Sequence, residues 1–199
     1  MDEVGTIYLV RHGETVWNRE GRLQGQSDSP LTDRGLKQAQ AVGKLLRRVI
    51  GDAADIPIFV SPLERALRTA EAICGPLGRN PACLRTDDLL KEISFGRWEG
   101  MIFKEIAVAD PENWKRFELD RWSVAPPDGE SYAMMAARVR QWLRGTAVVR
   151  EKIVVAHGGF CRVLRGMYCG ASAEETLALD VPQDVVFRIA EGTVERIEA

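Results

Sequence analysis

Two four-residue apolar blocks, Ile7 to Val10 and Ile153 to Ala156, stand out of the polar background, and each runs into a histidine followed by glycine. Unbroken apolar runs rich in β-branched residues predict strands buried on both faces, which places His12 and His157 at strand carboxyl ends. A third block, Ile58 to Val60, leads into Ser61-Pro62, a serine N-cap with proline at the first helical position; Ala66, Ala70 and Ile73 form the buried stripe behind it and Arg65 lies in the first turns. Between the first two junctions, Thr32 is placed to cap a helix in which Leu36, Ala39, Gly43, Leu46 and Ile50 recur by threes and fours until Gly51. Leu89, Leu90, Ile93 and Phe95 read as a short strand entering a turn-rich loop, Gly96 to Gly100. From Phe103 to Trp122 the apolar residues are spread among charges around Pro111, predicting two short helices, after which Glu130 to Arg144 reads as a helix with Met134, Ala137 and Leu143 inward. A helix follows His157, and Val185 to Ile189 with Val194 to Ile197 form a closing hairpin around Glu191-Gly192-Thr193.

Strands alternating with helices predict an α/β fold: one doubly wound, mostly parallel sheet with helices on both faces. The length of 199 residues suits a single domain, 1–199, with 95–131 as an insert roofing the strand ends. The net charge of −2 supplies no global basic field, so nucleic acid is not an expected partner. No run approaches a membrane span, and Asp2 and Glu3 stand where a signal peptide carries positive charge, so the expectation is a cytoplasmic protein without a membrane partner. The four cysteines, Cys74, Cys83, Cys161 and Cys169, form no CxxC pair and are expected as buried free thiols rather than disulfides or zinc ligands.

The two histidines are the only ones in the chain. In an open α/β sheet the ligand crevice lies outside the strand carboxyl ends, which makes His12 and His157 candidates to meet across 145 positions of sequence. Arg11 precedes one of them and Arg65 arrives at the same edge; two guanidinium forks beside two imidazoles suit phosphate oxygens. HExxH, a Cys-x5-Arg loop, GxxxxGK[ST] and GxSxG are all missing, which disfavours metal hydrolysis and the nucleophiles other than histidine. Histidine can accept a phosphoryl group on nitrogen provided that the ring is neutral, a state that repulsion from Arg11 and Arg65 favours.

LVRHGETVWN (9–18), LTDRGLKQA (31–39), SPLERALRTAE (61–71), EISFGRWEG (92–100), GES (129–131) and VVAHGG (154–159) together resemble the histidine phosphatase superfamily, the phosphoglycerate mutase-like group. The resemblance implies that His12 is the phosphate-accepting nucleophile. It further implies that Arg11, Arg65 and His157 hold the phosphoryl oxygens, that Asn18, Gln24, Gly25 and Gly158 add substrate contacts, and that Glu92 protonates the leaving oxygen. Glu14 and Glu130 are expected to anchor arginines and loops, and Trp98, Trp114 and Trp122 to form a miniature core within the insert. The function implied is a phosphomonoester hydrolase for a small phosphorylated metabolite, with no metal or organic cofactor. Two alternatives stand beside it, a cofactor-dependent phosphoglycerate mutase and a non-catalytic phosphate-binding module. Hydrolysis is favoured over mutase action because Lys104, Lys115, Arg116 and Arg121 of the insert are outnumbered by Glu105, Asp110, Glu112, Glu118 and Asp120, leaving no basic clamp. Sugar phosphates, phosphoglycerates and the ribazole phosphate of cobalamin synthesis stay open as substrates, the last being the group that the PPDGES segment resembles. The oligomeric state also stays open, with a homodimer among the options.

Overall fold

The computed structural model describes residues 4–51 and 55–198, so Asp2 and Glu3 lie outside the described residues. Six strands, β1 (Thr6–Arg11), β2 (Ile58–Val60), β3 (Leu84–Thr86), β4 (Glu151–Ala156), β5 (Val186–Ala190) and β6 (Thr193–Ile197), form one sheet in the order β3-β2-β4-β1-β5-β6. The four strands from β3 to β1 in that order run parallel, and the β5–β6 hairpin joins antiparallel at the β1 side. Helices α1 (Val16–Glu20), α2 (Asp33–Ile50), α3 (Glu64–Leu77), α4 (Phe103–Ala109), α5 (Pro111–Leu119), α6 (Tyr132–Gly145), α7 (Gly158–Cys169) and α8 (Ala173–Ala178) complete the α/β domain.

The unbroken apolar runs sit where both faces of the sheet are covered. Ile7, Leu9, Val154 and Ala156 pack into one core with residues of α6 and α7, whereas Tyr8, Val10, Ile153 and Val155 pack into the other with residues of α2 and α3. Because β1 and β4 are parallel neighbours in register, with Val10 opposite Val155 and Arg11 opposite Ala156, the two histidines leave the sheet side by side. The His12 N–H still bonds the Ala156 carbonyl at 2.9 Å, and on the other flank of β4 the Ser61 N–H bonds Val155 O at 3.1 Å.

Several local expectations change. Helix α3 starts at Glu64 behind Leu63, which has no side chain to cap with, and the Ser61 hydroxyl is used elsewhere. The buried face of α6 carries Met135, Ala136, Val139, Trp142 and Leu143, leaving Met134 55% exposed and Ala137 exposed; the Met-Met and Ala-Ala doublets let the stripe be read one residue out of phase. Leu36 is likewise exposed. Cys74 and Cys161 are buried free thiols, but Cys83 is half-buried and Cys169 exposed. The insert does hold two short helices and a core of its own, Trp98, Ile106 and Phe117 with Trp114 against them, while Trp122 joins the main core and stacks on Tyr132. Among the described residues no helix is long and apolar enough to cross a membrane.

Candidate active site

His12 is 2% exposed, its ring held by one bond at each nitrogen. Nδ1 lies 2.8 Å from the Gly13 carbonyl oxygen, which can only accept, so the ring proton sits on Nδ1. Nε2 therefore carries a lone pair, and it receives the Arg65 Nε–H at 3.3 Å. Burial holds the His12 imidazole well below the usual histidine range, with the charges of Arg65 and then Arg11 adding to the effect. The neutral ring expected from repulsion is thus neutral chiefly because it is desolvated. The turn that aims it depends on close backbone contact: a Cβ on Gly13 would run into the Gly35 carbonyl.

Arg65, 1% exposed, is clamped from three directions. Its Nη1 donates to Ser27 O and to Asp28 Oδ1, both at 2.8 Å, and its Nη2 to Gly25 O at 2.6 Å. Of five N–H groups, these bonds and the one to His12 leave a single Nη2–H uncommitted. Once Nε2 carries a substituent its lone pair is gone, and the Arg65 Nε–H must find an acceptor on that substituent.

On the opposite flank the Arg11 Nη1 donates to Val181 O at 2.5 Å, while its Nε is buried with no partner among the described residues. Among the described residues no carboxylate bonds this guanidinium, and burial lowers its proton affinity, an effect that the charge of Glu92 opposes. His157 stands with its ring 5.2 Å from that of His12; its Nε2 meets Ser61 Oγ at 2.7 Å and its Nδ1 is orphaned. Buried polar atoms without partners are rare, and two of them, Arg11 Nε and His157 Nδ1, flank one neutral histidine. His157 is also the N-cap residue of the twelve-residue α7 and caps with no side-chain bond, so the helix starts at this histidine, its Gly159 amide already bonded to Glu92. A Cβ on Gly158 would stand 3.5 Å from Arg11 Nε, in the space a ligand needs. Glu92 accepts the Gly159 N–H at 3.0 Å through Oε2 and the Ile93 N–H at 3.0 Å through Oε1, and the bare Cα of Gly159 admits it. Two unpartnered buried nitrogens, a desolvated imidazole lone pair, positive charge and a nearby carboxyl are the groups that phosphoryl chemistry calls for. A cavity of about 840 Å³ bounded by Trp122, Leu143, Met167 and Thr176 lies elsewhere and includes none of these groups. Among the described residues no group of three or more His, Cys, Asp or Glu is placed to hold a metal ion.

Residues 7–193 match the profile of the histidine phosphatase superfamily (branch 1). The chain belongs to that superfamily. It is 37% identical over 179 residues to a probable phosphoglycerate mutase of Erwinia tasmaniensis, covering 87% of this chain and 80% of that one. It is also 38% identical over 170 residues to a metal-independent phosphoserine phosphatase of Arabidopsis thaliana, covering 83% and 68%. The crystal structure of the alpha-ribazole phosphatase of Shigella flexneri superposes with a TM-score of 0.84 at 27% identity, covering 98% of this chain and 96% of that one. Both phosphatases and a probable mutase thus stand among the relatives of this chain, and their kinship supports enzymatic activity.

Within this superfamily member, five residues named from sequence, Arg11, His12, Arg65, Glu92 and His157, converge. Gly25 joins through its carbonyl on Arg65, and Gln24 is buried with Oε1 unpartnered. Asn18 works partly in local structure: Thr15 Oγ1 receives its N–H, and its Oδ1 receives the Thr15 N–H at 3.2 Å and Gln183 Nε2 at 2.9 Å. With Oδ1 occupied twice, only its Nδ2 donors remain for a ligand. Other positioning groups escaped the sequence reading. Asp28 ion-pairs Arg65 and also receives the Glu64 N–H, capping α3 from another loop. Glu99 gathers the amides of Gln26, Ser27 and Phe95 and so fixes the loop that grips Arg65. Arg138 pairs with Glu130 at 2.8 Å and donates to Leu89 O, Lys91 O and Glu92 O, setting the backbone of the acid. Glu14 bonds Thr32 and Arg34, the anchoring role expected of it. The acidic residue in GQSDSP and the Glu of WEG were visible; nothing local marked their partners.

Proposed function

We propose that this protein is a phosphomonoester hydrolase that acts on a small phosphorylated metabolite through a phosphohistidine at His12. The observation that carries the reading is the Nδ1-protonated, desolvated His12 ring, whose Nε2 keeps its lone pair toward Arg65 while two buried nitrogens of its neighbours, Arg11 Nε and His157 Nδ1, have no partner among the described residues. In the first step Nε2 attacks phosphorus, the bond from phosphorus to the ester oxygen breaks, and Glu92 in its acid form gives its proton to the departing oxygen. Arg11, Arg65, His157 and the start of α7 hold the equatorial oxygens, with Arg65 Nε moving from the ring lone pair to the phosphoryl group. In the second step the Glu92 carboxylate takes a proton from water as the water oxygen attacks phosphorus. The N–P bond breaks, its electron pair returns to Nε2, and orthophosphate leaves.

Residues 95–131 are read as the roof over this site. The support is their attachment to the Arg65-gripping loop: Leu23 and Gly100 exchange backbone bonds with Met101 and Leu23, and Glu99 ties down Gln26 and Ser27. The mutase reading is favoured by the relative of Erwinia tasmaniensis and opposed by the net negative insert. Incubation with 3-phosphoglycerate and catalytic bisphosphoglycerate separates the two. Orthophosphate is the expected product; faster formation of 2-phosphoglycerate overturns hydrolysis, and failure to turn over any phosphomonoester, phosphoserine, ribazole phosphate and an aryl phosphate included, makes the protein a binding module.

A further inference from the structure

Ser61 stands where the sequence places a helix cap, yet its hydroxyl does not cap α3. It is fully buried at the end of β2, 2.7 Å from His157 Nε2, and its oxygen receives the Leu63 N–H at 3.3 Å. The hydroxyl carries one proton and, among the described residues, Nε2 is the acceptor in reach. Two arrangements are open to the pair. With the imidazole proton on Nε2, that N–H donates to Ser61, the serine proton is buried without an acceptor, and Nδ1 turns a lone pair toward incoming phosphoryl oxygens that are themselves lone-pair bearers. With the proton on Nδ1, the serine proton is satisfied by Nε2, and the single group left over is an N–H, which a phosphoryl oxygen satisfies. Each arrangement leaves one buried donor over, but the first also strands the Nδ1 lone pair, so the second leaves fewer polar atoms unpaired and is the one that a phosphoryl oxygen completes. The choice matters because burial, with the charges of Arg65, Arg11 and Arg138 adding to it, holds His157 well below the usual range, leaving a neutral ring with one proton to place.

We propose that Ser61 is a positioning residue that fixes His157 as the Nδ1-protonated tautomer, so that the pair forms a one-way relay of donors from the Leu63 amide through serine and imidazole to the phosphoryl group. The inference rests on the reading of His157 as a phosphoryl ligand.

The chain has only two histidines, so nitrogen-15 ring spectra of the labelled free protein contain two imidazoles. The expected wild-type result is a protonated Nδ1 and an unprotonated Nε2 on His157. Ser61→Ala should move the His157 proton to Nε2 or average the two nitrogens, leave the His12 signals in place and weaken inorganic phosphate about tenfold; Ser61→Thr should restore both. A wild-type His157 protonated on Nε2 overturns the proposal, as do unchanged His157 signals in a folded Ser61→Ala protein. Should Ser61→Ala not fold, the wild-type spectrum alone decides. Absence of turnover with the expected tautomer present counts against the hydrolase reading and not against the tautomer.

Discussion

The carboxyl edge of the sheet and the 95–131 insert are built on opposite plans. At the edge, residues from β1, β2 and β4 that lie far apart in sequence are aligned by strand register, and His12, Ser61, Arg65 and His157 are buried with nearly every hydrogen-bonding atom committed. The insert is local: neighbouring helices close over Trp98, Ile106 and Phe117, while Phe103, Val108 and Leu119 stay exposed and the Arg97–Asp128 ion pair sits in solvent. Its ties to the edge include two carboxylates, Glu99 on the Arg65 loop and Glu130 on Arg138, beside the backbone bonds of Gly100 and Met101 with Leu23. A frame fixed by register tolerates little change, whereas a module with its own core can vary in sequence without disturbing it. On the proposed function, the shared chemistry belongs to the edge and substrate choice to the insert.

The comparison breaks most severely at Arg65. Arg65→Lys keeps the charge but loses the fork that grips Gly25, Ser27 and Asp28, and should lower kcat on an aryl phosphate about 10²–10³-fold in steady-state assays. A loss under threefold would make the edge as tolerant as the insert. Trp98→Ala should sharpen the contrast: removing the centre of the insert core costs about 3–5 kcal/mol locally, read as faster hydrogen exchange across α4 and α5. KM for bulky esters should rise several-fold, with phosphoenzyme formation from a small aryl phosphate little changed.

A gentler probe is pH. His12 and His157 are both held below 6.5 when folded, so the unfolded chain binds more protons in the window below 6.5 and stability falls as pH drops through it. Denaturant titrations from pH 7 to 5 should show that slope, and His12→Ala should reduce it; an unchanged slope contradicts a neutral His12. The smallest effect is expected from exhaustive chelation, which should leave turnover intact because arginines neutralise the phosphoryl charge.

The strand ends were legible because apolar runs stop at His12 and His157, and the crevice rule for open sheets brought the two together without any periodic signal linking them. Arg65 was legible as a residue early in α3, but not its grip, because Asp28 caps that helix from across a loop and Ser61 turns its hydroxyl to His157 instead. Arg138 sits in an arginine-rich helix where nothing distinguishes it from the exposed Arg140 until Glu130 and the carbonyls around Glu92 are in place. Tertiary contacts decide such roles, and a single helix stripe carrying Met134-Met135 cannot even set its own phase.

The central claim is the covalent intermediate. Rapid acid-free quenching during turnover of a labelled phosphomonoester, followed by peptide mapping, tests it directly. The account predicts phosphate on His12, stable to alkali and labile to acid, and none in a folded His12→Ala protein that has also lost turnover. Phosphate recovered on another residue, or a His12→Ala protein with near-normal turnover, would contradict it.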